Sequence, residues 1–172
     1  MTVGTLDKKQ DNDYSEALMI VDKSSRNVQN KVNLVKNDVS DEYDIISNLS
    51  SVINFNKSLD NLAIILNKIP SFTHEFHCAM SVRRMSQFIL TDDNFTLEYF
   101  NFLLNSVNQF INLNMFKLNN MSEIESSSCK KEYKKISRAF LKSEKIFYTK
   151  IYKSSRNHDK DFFEDMVGLL AR

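Results

Sequence analysis

Glycine and proline are almost absent from this sequence, which has two glycines, one proline, two cysteines and no tryptophan among 172 residues. Phosphate-binding loops need several glycines close together, whereas Gly4 and Gly168 lie near opposite ends of the chain. Folds made only of β-strands need turn residues between many short strands, and this sequence has too few of them. Two cysteines can build neither a zinc ribbon nor a disulfide scaffold. The absences therefore predict an all-α protein.

Long apolar runs are also missing, and this bears on the compartment. No stretch of about eighteen apolar residues occurs, so we expect no membrane span. Residues 1–15 are polar and have no apolar core of a secretory signal. We therefore expect an intracellular protein, cytoplasmic or nuclear and not secreted, with Cys78 and Cys129 reduced. The 19 asparagines and 20 serines, with many Lys, Ile and Phe, are typical of a chain encoded by an AT-rich genome.

Hydrophobic periodicity and helix-capping residues divide the chain into five or six helices with short connections, the pattern of a helical bundle. We predict a flexible N-terminal tail at 1–15, followed by a single α-helical domain at 16–172. A long N-terminal helical segment covers about 16–69, and Pro70 ends it. The other bundle helices are predicted at about 72–90, 94–118, 123–156 and 160–171.

The N-terminal segment carries the heptad pattern of a coiled coil, because its apolar residues follow alternating steps of four and three. A seam of this kind packs against another helix, either in the same chain or in a partner, and the pattern leaves both open. The heptad seam consists of Val28, Val32, Val35, Val39, Ile46, Leu49 and Ile53.

Asparagines form a stripe about 60° wide along the helix predicted at 94–118, whose other residues are mostly apolar. Exposed helix faces usually carry Lys and Glu, which form helices better than Asn does. A row of neutral amides is closer to what a partly dehydrated interface tolerates. The stripe is therefore either a solvated face or a partner-binding surface centred on Asn105, Asn108 and Asn112.

Positive charge is concentrated in the helix predicted at 123–156. Ten basic and two acidic residues lie between Lys130 and Arg156, although the whole chain has a formal net charge of only +1. Eight of the ten fall within an arc of about 100° on the helix, opposite an apolar side. This basic face is either a solvated surface or a binding surface for an anionic partner. Its residues are Lys131, Lys134, Lys135, Arg138, Lys142, Lys145, Lys153 and Arg156.

Catalytic and metal-binding patterns are weak. The segment from His74 to Cys78 is the only cluster of His and Cys, but His74 and His77 are three residues apart, whereas the zincin pattern needs four. No serine has the flanking glycines of a nucleophile elbow. We predict no metal, no cofactor, no small-molecule substrate and no enzymatic activity.

These observations predict a non-enzymatic, all-α interaction subunit or adaptor that assembles with protein partners, as a homo- or hetero-oligomer, through helix faces. One alternative is a helical factor that binds nucleic acid or a ribonucleoprotein through the basic face at 130–156. A second alternative is a pathogen-encoded helical bundle that binds a host protein. With few loops to carry a site, the function is expected to lie on helix faces.

Overall fold

A computed structural model describes residues 6–38, 49–91 and 97–155 of the chain. In those ranges it contains five α-helices, two short 3-10 turns and no β-strand. The predicted all-α helical bundle is therefore confirmed.

Helix α1 spans Lys8–Asp38 and begins well before residue 16. Asp7 and Gln10 form a reciprocal cap, in which the Gln10 backbone N–H donates to Asp7 Oδ1 at 2.7 Å and the Asp7 N–H donates to Gln10 Oε1 at 3.2 Å. The side chain of Tyr14 is fully buried in the core. The predicted flexible tail at 1–15 is thus wrong for residues 8–15, because the capped first turns belong to the packed helix.

Helix α2 spans Leu49–Asn67, so the described residues of the segment predicted at 16–69 belong to two separate elements, α1 and α2. Pro70 begins a 3-10 turn, Pro70–Phe72, that leads directly into helix α3 at Thr73–Thr91. The proline lies where its fixed φ angle suits the first position of a turn. The predicted helix at 72–90 is confirmed to within one residue at each end.

Helix α4 spans Leu97–Asn119, and helix α5 spans Ser127–Ser155. A 3-10 turn at Met121–Glu123 separates them, so α5 begins later than the predicted residue 123. Ser126 caps α5, because its Oγ accepts the Cys129 backbone N–H at 3.4 Å. The helix predicted at 160–171 lies outside the described residues.

Helix α4 occupies the middle of the bundle, since it packs against α1, α3 and α5. Helix α2 packs against α1 and α3. Contacts between Tyr14 and Asn114, and between Glu75 and Lys117, bring the starts of α1 and α3 to the end of α4. The start of α5 joins them, because Tyr133 also reaches Glu75. This meeting point is called the junction end of the bundle below.

The core is a single cluster of apolar side chains drawn from all five helices. Aromatic rings supply much of it, as the composition predicts, and each buried ring removes a large apolar area from water. Among the fully buried rings are Phe55 of α2, Phe110 of α4, and Phe140 and Phe147 of α5.

Candidate functional site

The basic face of α5 is exposed wherever the structure describes it. Six of its eight members have described side chains, and all six are exposed: Lys131, Lys134, Lys135, Arg138, Lys142 and Lys145. None of these six forms an ion pair with another described residue. Lys153 lies in α5, but its side chain is outside the described part of the chain, as is all of Arg156.

The opposite side of α5 packs against the core, and this packing fixes how the helix is rotated about its axis. Phe140, Phe147 and Ile151 are each 1% exposed. The ring of Phe140 lies 6.5 Å from that of Phe110 on α4, centroid to centroid. Rotating the helix to hide its charges would expose these side chains, so the amphipathic pattern fixes the basic face outward.

Three polar contacts connect α5 to α3. His74 Nε2 lies 2.7 Å from Ser137 Oγ, and the Ser81 hydroxyl donates a hydrogen bond to Glu144. The third contact is the hydrogen bond that the Tyr133 hydroxyl donates to Glu75. Partly buried polar contacts of this kind fix the relative position of two helices more narrowly than apolar packing does.

A buried ion pair lies at the junction end of the bundle. Lys117 Nζ is 2.6 Å from Glu75 Oε1, with the lysine side chain 9% exposed and the glutamate side chain fully buried. The same ammonium group donates to the backbone carbonyl of Ser71 and lies 4.4 Å from the centre of the Phe72 ring. Because Tyr133 donates to the other oxygen, both carboxylate oxygens of Glu75 are hydrogen-bonded, as a buried charge requires.

Tyr14 extends this polar group into α1. Its hydroxyl donates to Asn114 Oδ1 at 2.6 Å, and Asn114 Nδ2 donates to the Phe110 carbonyl at 2.8 Å. Burial raises the pKa of Tyr14, and the nearby Glu75 charge raises that pKa further. The same two causes, in that order, raise the pKa of Tyr133. Both phenols are therefore held in the neutral, hydrogen-bond-donating form.

A cleft of about 440 Å³ opens above the ion pair. It lies at the N-terminal end of α5 and adjoins the basic face, because Lys134 belongs to both. On the rim, Lys130 Nζ pairs with Glu125 Oε2 at 3.1 Å, and both side chains are more than half exposed. The cleft is lined by Ser71, Lys117, Ile124, Glu125, Lys130, Tyr133 and Lys134.

The ring of His74 lies beside one hydroxyl group and one thiol group. His74 Nε2 lies 3.8 Å from Cys78 Sγ as well as near Ser137. Burial raises the pKa of the Cys78 thiol, and the charges of Glu75 and Glu144 raise it further, so the thiolate is disfavoured. Within the described ranges, no three His, Cys, Asp or Glu residues come together in a way that could hold a metal ion.

The asparagine stripe of α4 is exposed. Asn105, Asn108 and Asn112 all lie on the outer surface, and the neighbouring Met115 is 46% exposed. Asn114 does not belong to the stripe, because it is fully buried in its bond with Tyr14. The sequence therefore located the exposed line correctly.

The heptad seam is partly used inside the chain. Val28 and Val32 are 2% and 4% exposed and belong to the common core, so these two residues pack within the chain, one of the two possibilities that the heptad pattern left open. Ile53 is 45% exposed and does not continue the buried seam. The side chains of the remaining members lie outside the described residues: Val35, Val39, Ile46 and Leu49.

Sequence reasoning missed Glu75 and Lys117, although a signal was present. Glu75 continues the buried row of α3 through Phe72, Ala79 and Val82, spaced by three and four residues. A charge inside such an apolar row is expected to be buried and paired. Lys117 similarly follows the buried positions of α4, including Phe110 and Asn114.

Comparisons of the chain with protein-family models, with curated proteins and with solved structures give no match. Within residues 6–38, 49–91 and 97–155, no helix combines the length and apolar character needed to cross a membrane. The exposed helix faces and the cleft are therefore the features of the chain that point to a function.

Proposed function

We propose that this protein is a non-enzymatic helical interaction protein that binds a nucleic-acid duplex through the basic face of α5. The observation that carries the proposal is the set of six exposed cations on one side of a rigid helix, without carboxylate partners among the described residues. From Lys131 to Lys145 this face extends about 21 Å at 1.5 Å per residue. Double-stranded DNA presents about one negative charge per 1.7 Å of its axis, so the face can contact several phosphates together.

A duplex suits this surface better than a single strand. Binding of single strands depends on aromatic side chains on which successive bases stack. Among the described rings of α5, Phe140 and Phe147 are buried, Tyr133 and Tyr148 are partly buried, and the Tyr133 hydroxyl bonds to Glu75. Lysines contacting phosphates would give affinity with little sequence preference. The two cysteines, both free, support a role inside the cell.

Fluorescence anisotropy with short duplex RNA and DNA across a salt series tests this proposal. The logarithm of the binding constant should fall linearly with the logarithm of the salt concentration, by about 0.9 for each DNA phosphate contacted. In a variant carrying Lys131→Gln, Lys135→Gln and Lys142→Gln, the slope should decrease by about 3 and low-salt affinity should fall at least about tenfold.

The matched control removes the same charge elsewhere. Lys8, Lys9 and Lys57 are exposed on α1 and α2, so replacing all three with Gln gives the same net charge. This control should bind like the wild type to within about threefold, since distant exposed charges are screened at physiological salt. An equal loss of duplex affinity in both variants would contradict the proposal, and so would the absence of duplex binding by the wild type at low salt.

A second candidate function is assembly with a protein partner through the asparagine stripe. It is favoured by the exposure of Asn105, Asn108 and Asn112 beside the exposed thioether of Met115. Replacing the three asparagines with Lys should reduce co-purification of a specific partner from the native cell, because three added charges oppose a dehydrated contact.

The control for this second candidate replaces three exposed asparagines of α2, Asn54, Asn61 and Asn67, with Lys. Loss of the partner with the α4 variant but not with the α2 variant would support an interface on the stripe. Identical partner recovery from both variants would rule it out.

A further inference from the structure

The cleft at the junction end shares only Lys134 with the basic face of α5, and it brings three lysines together. We infer that it is a binding site for a phosphomonoester, meaning a phosphate group with two ionisable oxygens joined to an organic body. The inference extends the proposed function at one point only, where the phosphomonoester is the terminus of a nucleic acid. The site itself rests on the geometry of the cleft.

Three lysines line this cleft, two of them exposed and one nearly buried. Lys130 and Lys134 are four residues apart on α5, so their side chains are neighbours on one side of the helix. Lys117 forms part of the lining and is held in place by Glu75 and Ser71. The side chains of Lys130 and Lys134 can therefore move to meet a ligand, whereas Lys117 is held in place by Glu75 and Ser71.

The backbone adds to this positive potential. Helix α5 begins at Ser127, immediately beside the cleft, and has no acidic residue in its first turn. The positive end of a helix dipole favours an anion at this position. Lys130 lies within reach of the same helix terminus, so the dipole and the lysines act on one small region.

The charge balance favours a phosphate dianion over a carboxylate. Glu125 already places one carboxylate against Lys130, with both side chains largely in water. A carboxylate ligand would exchange one monoanion for another and gain little. A phosphomonoester carries a charge of about −1.5 to −2 at neutral pH and has three strong acceptor oxygens, enough to engage Lys130 and Lys134 together. Glu125 is then an internal competitor that the ligand displaces.

The cleft also has room and apolar surface for the organic part of the ester. Its volume of about 440 Å³ falls within the usual range of small-ligand sites. Ile124 and Tyr133 contribute apolar surface between the lysines. Because the Tyr133 hydroxyl is engaged with Glu75, the ring is held in a fixed position. A phosphate with an aromatic or alkyl body fits this combination better than inorganic phosphate does.

Calorimetric titration with phenyl phosphate tests the site, with benzoate and phenol as comparison ligands. Phenyl phosphate should bind saturably to one site and at least about tenfold more tightly than benzoate, since a charge-assisted contact is worth about one order of magnitude in affinity. Lys130→Gln should weaken it about tenfold, whereas Glu125→Gln should strengthen it severalfold by removing the competitor. Lys57→Gln, on an exposed position of α2, is the matched control and should change affinity less than twofold.

Two results would overturn the inference: no saturable binding of phenyl phosphate, or weaker binding by Glu125→Gln. Duplexes with and without a 5′-phosphate distinguish the source of the ligand. If the wild type binds the phosphorylated duplex more tightly than the unphosphorylated one, and Lys130→Gln does not, the ligand of the cleft is the end of a nucleic acid. Phenyl phosphate binding without that preference assigns it to a free organic phosphate. If the 5′-hydroxyl duplex binds but phenyl phosphate does not, the cleft inference fails and the proposed function stands.

Discussion

Removing Lys117 is expected to destabilise the protein more than any change on the basic face of α5. Its partner Glu75 is fully buried, and the two side-chain atoms that pair are 2.6 Å apart. The general scale of such a contact is set by two unit charges about 4 Å apart, which attract each other by about 4 kcal/mol at an effective dielectric constant of about 20. In Lys117→Met the carboxylate would keep only its hydrogen bond from Tyr133. We therefore expect a loss of about 3–5 kcal/mol in the free energy of unfolding.

Removing the charge of Glu75 should lower the free energy of unfolding less than removing Lys117 does, because the two partners are not equally buried. Lys117 lines the cleft, so in Glu75→Gln its ammonium group can bind water while it keeps the Ser71 carbonyl. The amide oxygen of Gln can still accept a hydrogen bond from Tyr133. A loss of about 2 kcal/mol is expected for Glu75→Gln. Replacing both charges, in Glu75→Leu with Lys117→Met, should be less destabilising than Lys117→Met alone, because no uncompensated charge remains.

Urea unfolding followed by far-UV circular dichroism measures these differences, and the absence of tryptophan makes this signal preferable to fluorescence. Lys130→Met is the matched control, because its pair with Glu125 is largely exposed and should contribute less than about 1 kcal/mol. A double variant at least as unstable as Lys117→Met alone would refute the predicted coupling between the two charges. So would a loss below about 1 kcal/mol for Lys117→Met.

Two further predictions concern the same end of the bundle. Removing residues 1–15 deletes both the cap of α1 and the buried ring of Tyr14, so we expect the free energy of unfolding to fall by more than about 3 kcal/mol. Tyr14→Phe removes only a hydroxyl group and should lower it by about 1–2 kcal/mol. If urea unfolding shows no loss of stability on truncation, the first turns of α1 are not packed against the core. The raised pKa values of Tyr14 and Tyr133 give stability that is complete below the ordinary tyrosine value of 10.0 and is lost as the pH rises from there towards the folded-state pKa values. In this pH range the free energy of unfolding should fall by about 1.4 kcal/mol per pH unit for each tyrosine, and Tyr133→Phe should make this fall less steep. If urea unfolding at alkaline pH gives the same pH dependence for Tyr133→Phe and the wild type, the raised pKa of Tyr133 is contradicted.

The helices were predictable because the signals that define them are local. Proline at position 70 disfavours helix in the residue before it, and α3 accordingly begins within one residue of its predicted start. The amphipathic pattern of α5 likewise predicted which of its sides would face the core. The start of α1 was missed because the acidic composition of the first residues concealed the reciprocal cap between Asp7 and Gln10.

The candidate site was less accessible to sequence reasoning, because it depends on which helices meet. Glu75 and Lys117 lie far apart along the chain, and the apolar row around each indicates burial but does not identify its partner. Their pairing requires the start of α3 to reach the end of α4, and the cleft also requires the start of α5. By contrast, Lys131 and Arg138 were recognised directly, because a face of one helix needs no tertiary information.

The polar contacts of α3 also constrain how this sequence can diverge. Glu75 serves two helices, since it accepts from Lys117 on α4 and from Tyr133 on α5. Ser81 and Glu144 form another such pair between α3 and α5. Loss of Lys117 or Tyr133 leaves the buried carboxylate of Glu75 without one of its partners, and loss of Glu144 leaves the buried Ser81 hydroxyl without its acceptor, whereas a coordinated change avoids this. In related chains these positions should therefore vary together, and their covariation would mark the α3–α4 and α3–α5 contacts more clearly than the apolar core, where many side chains can substitute for one another.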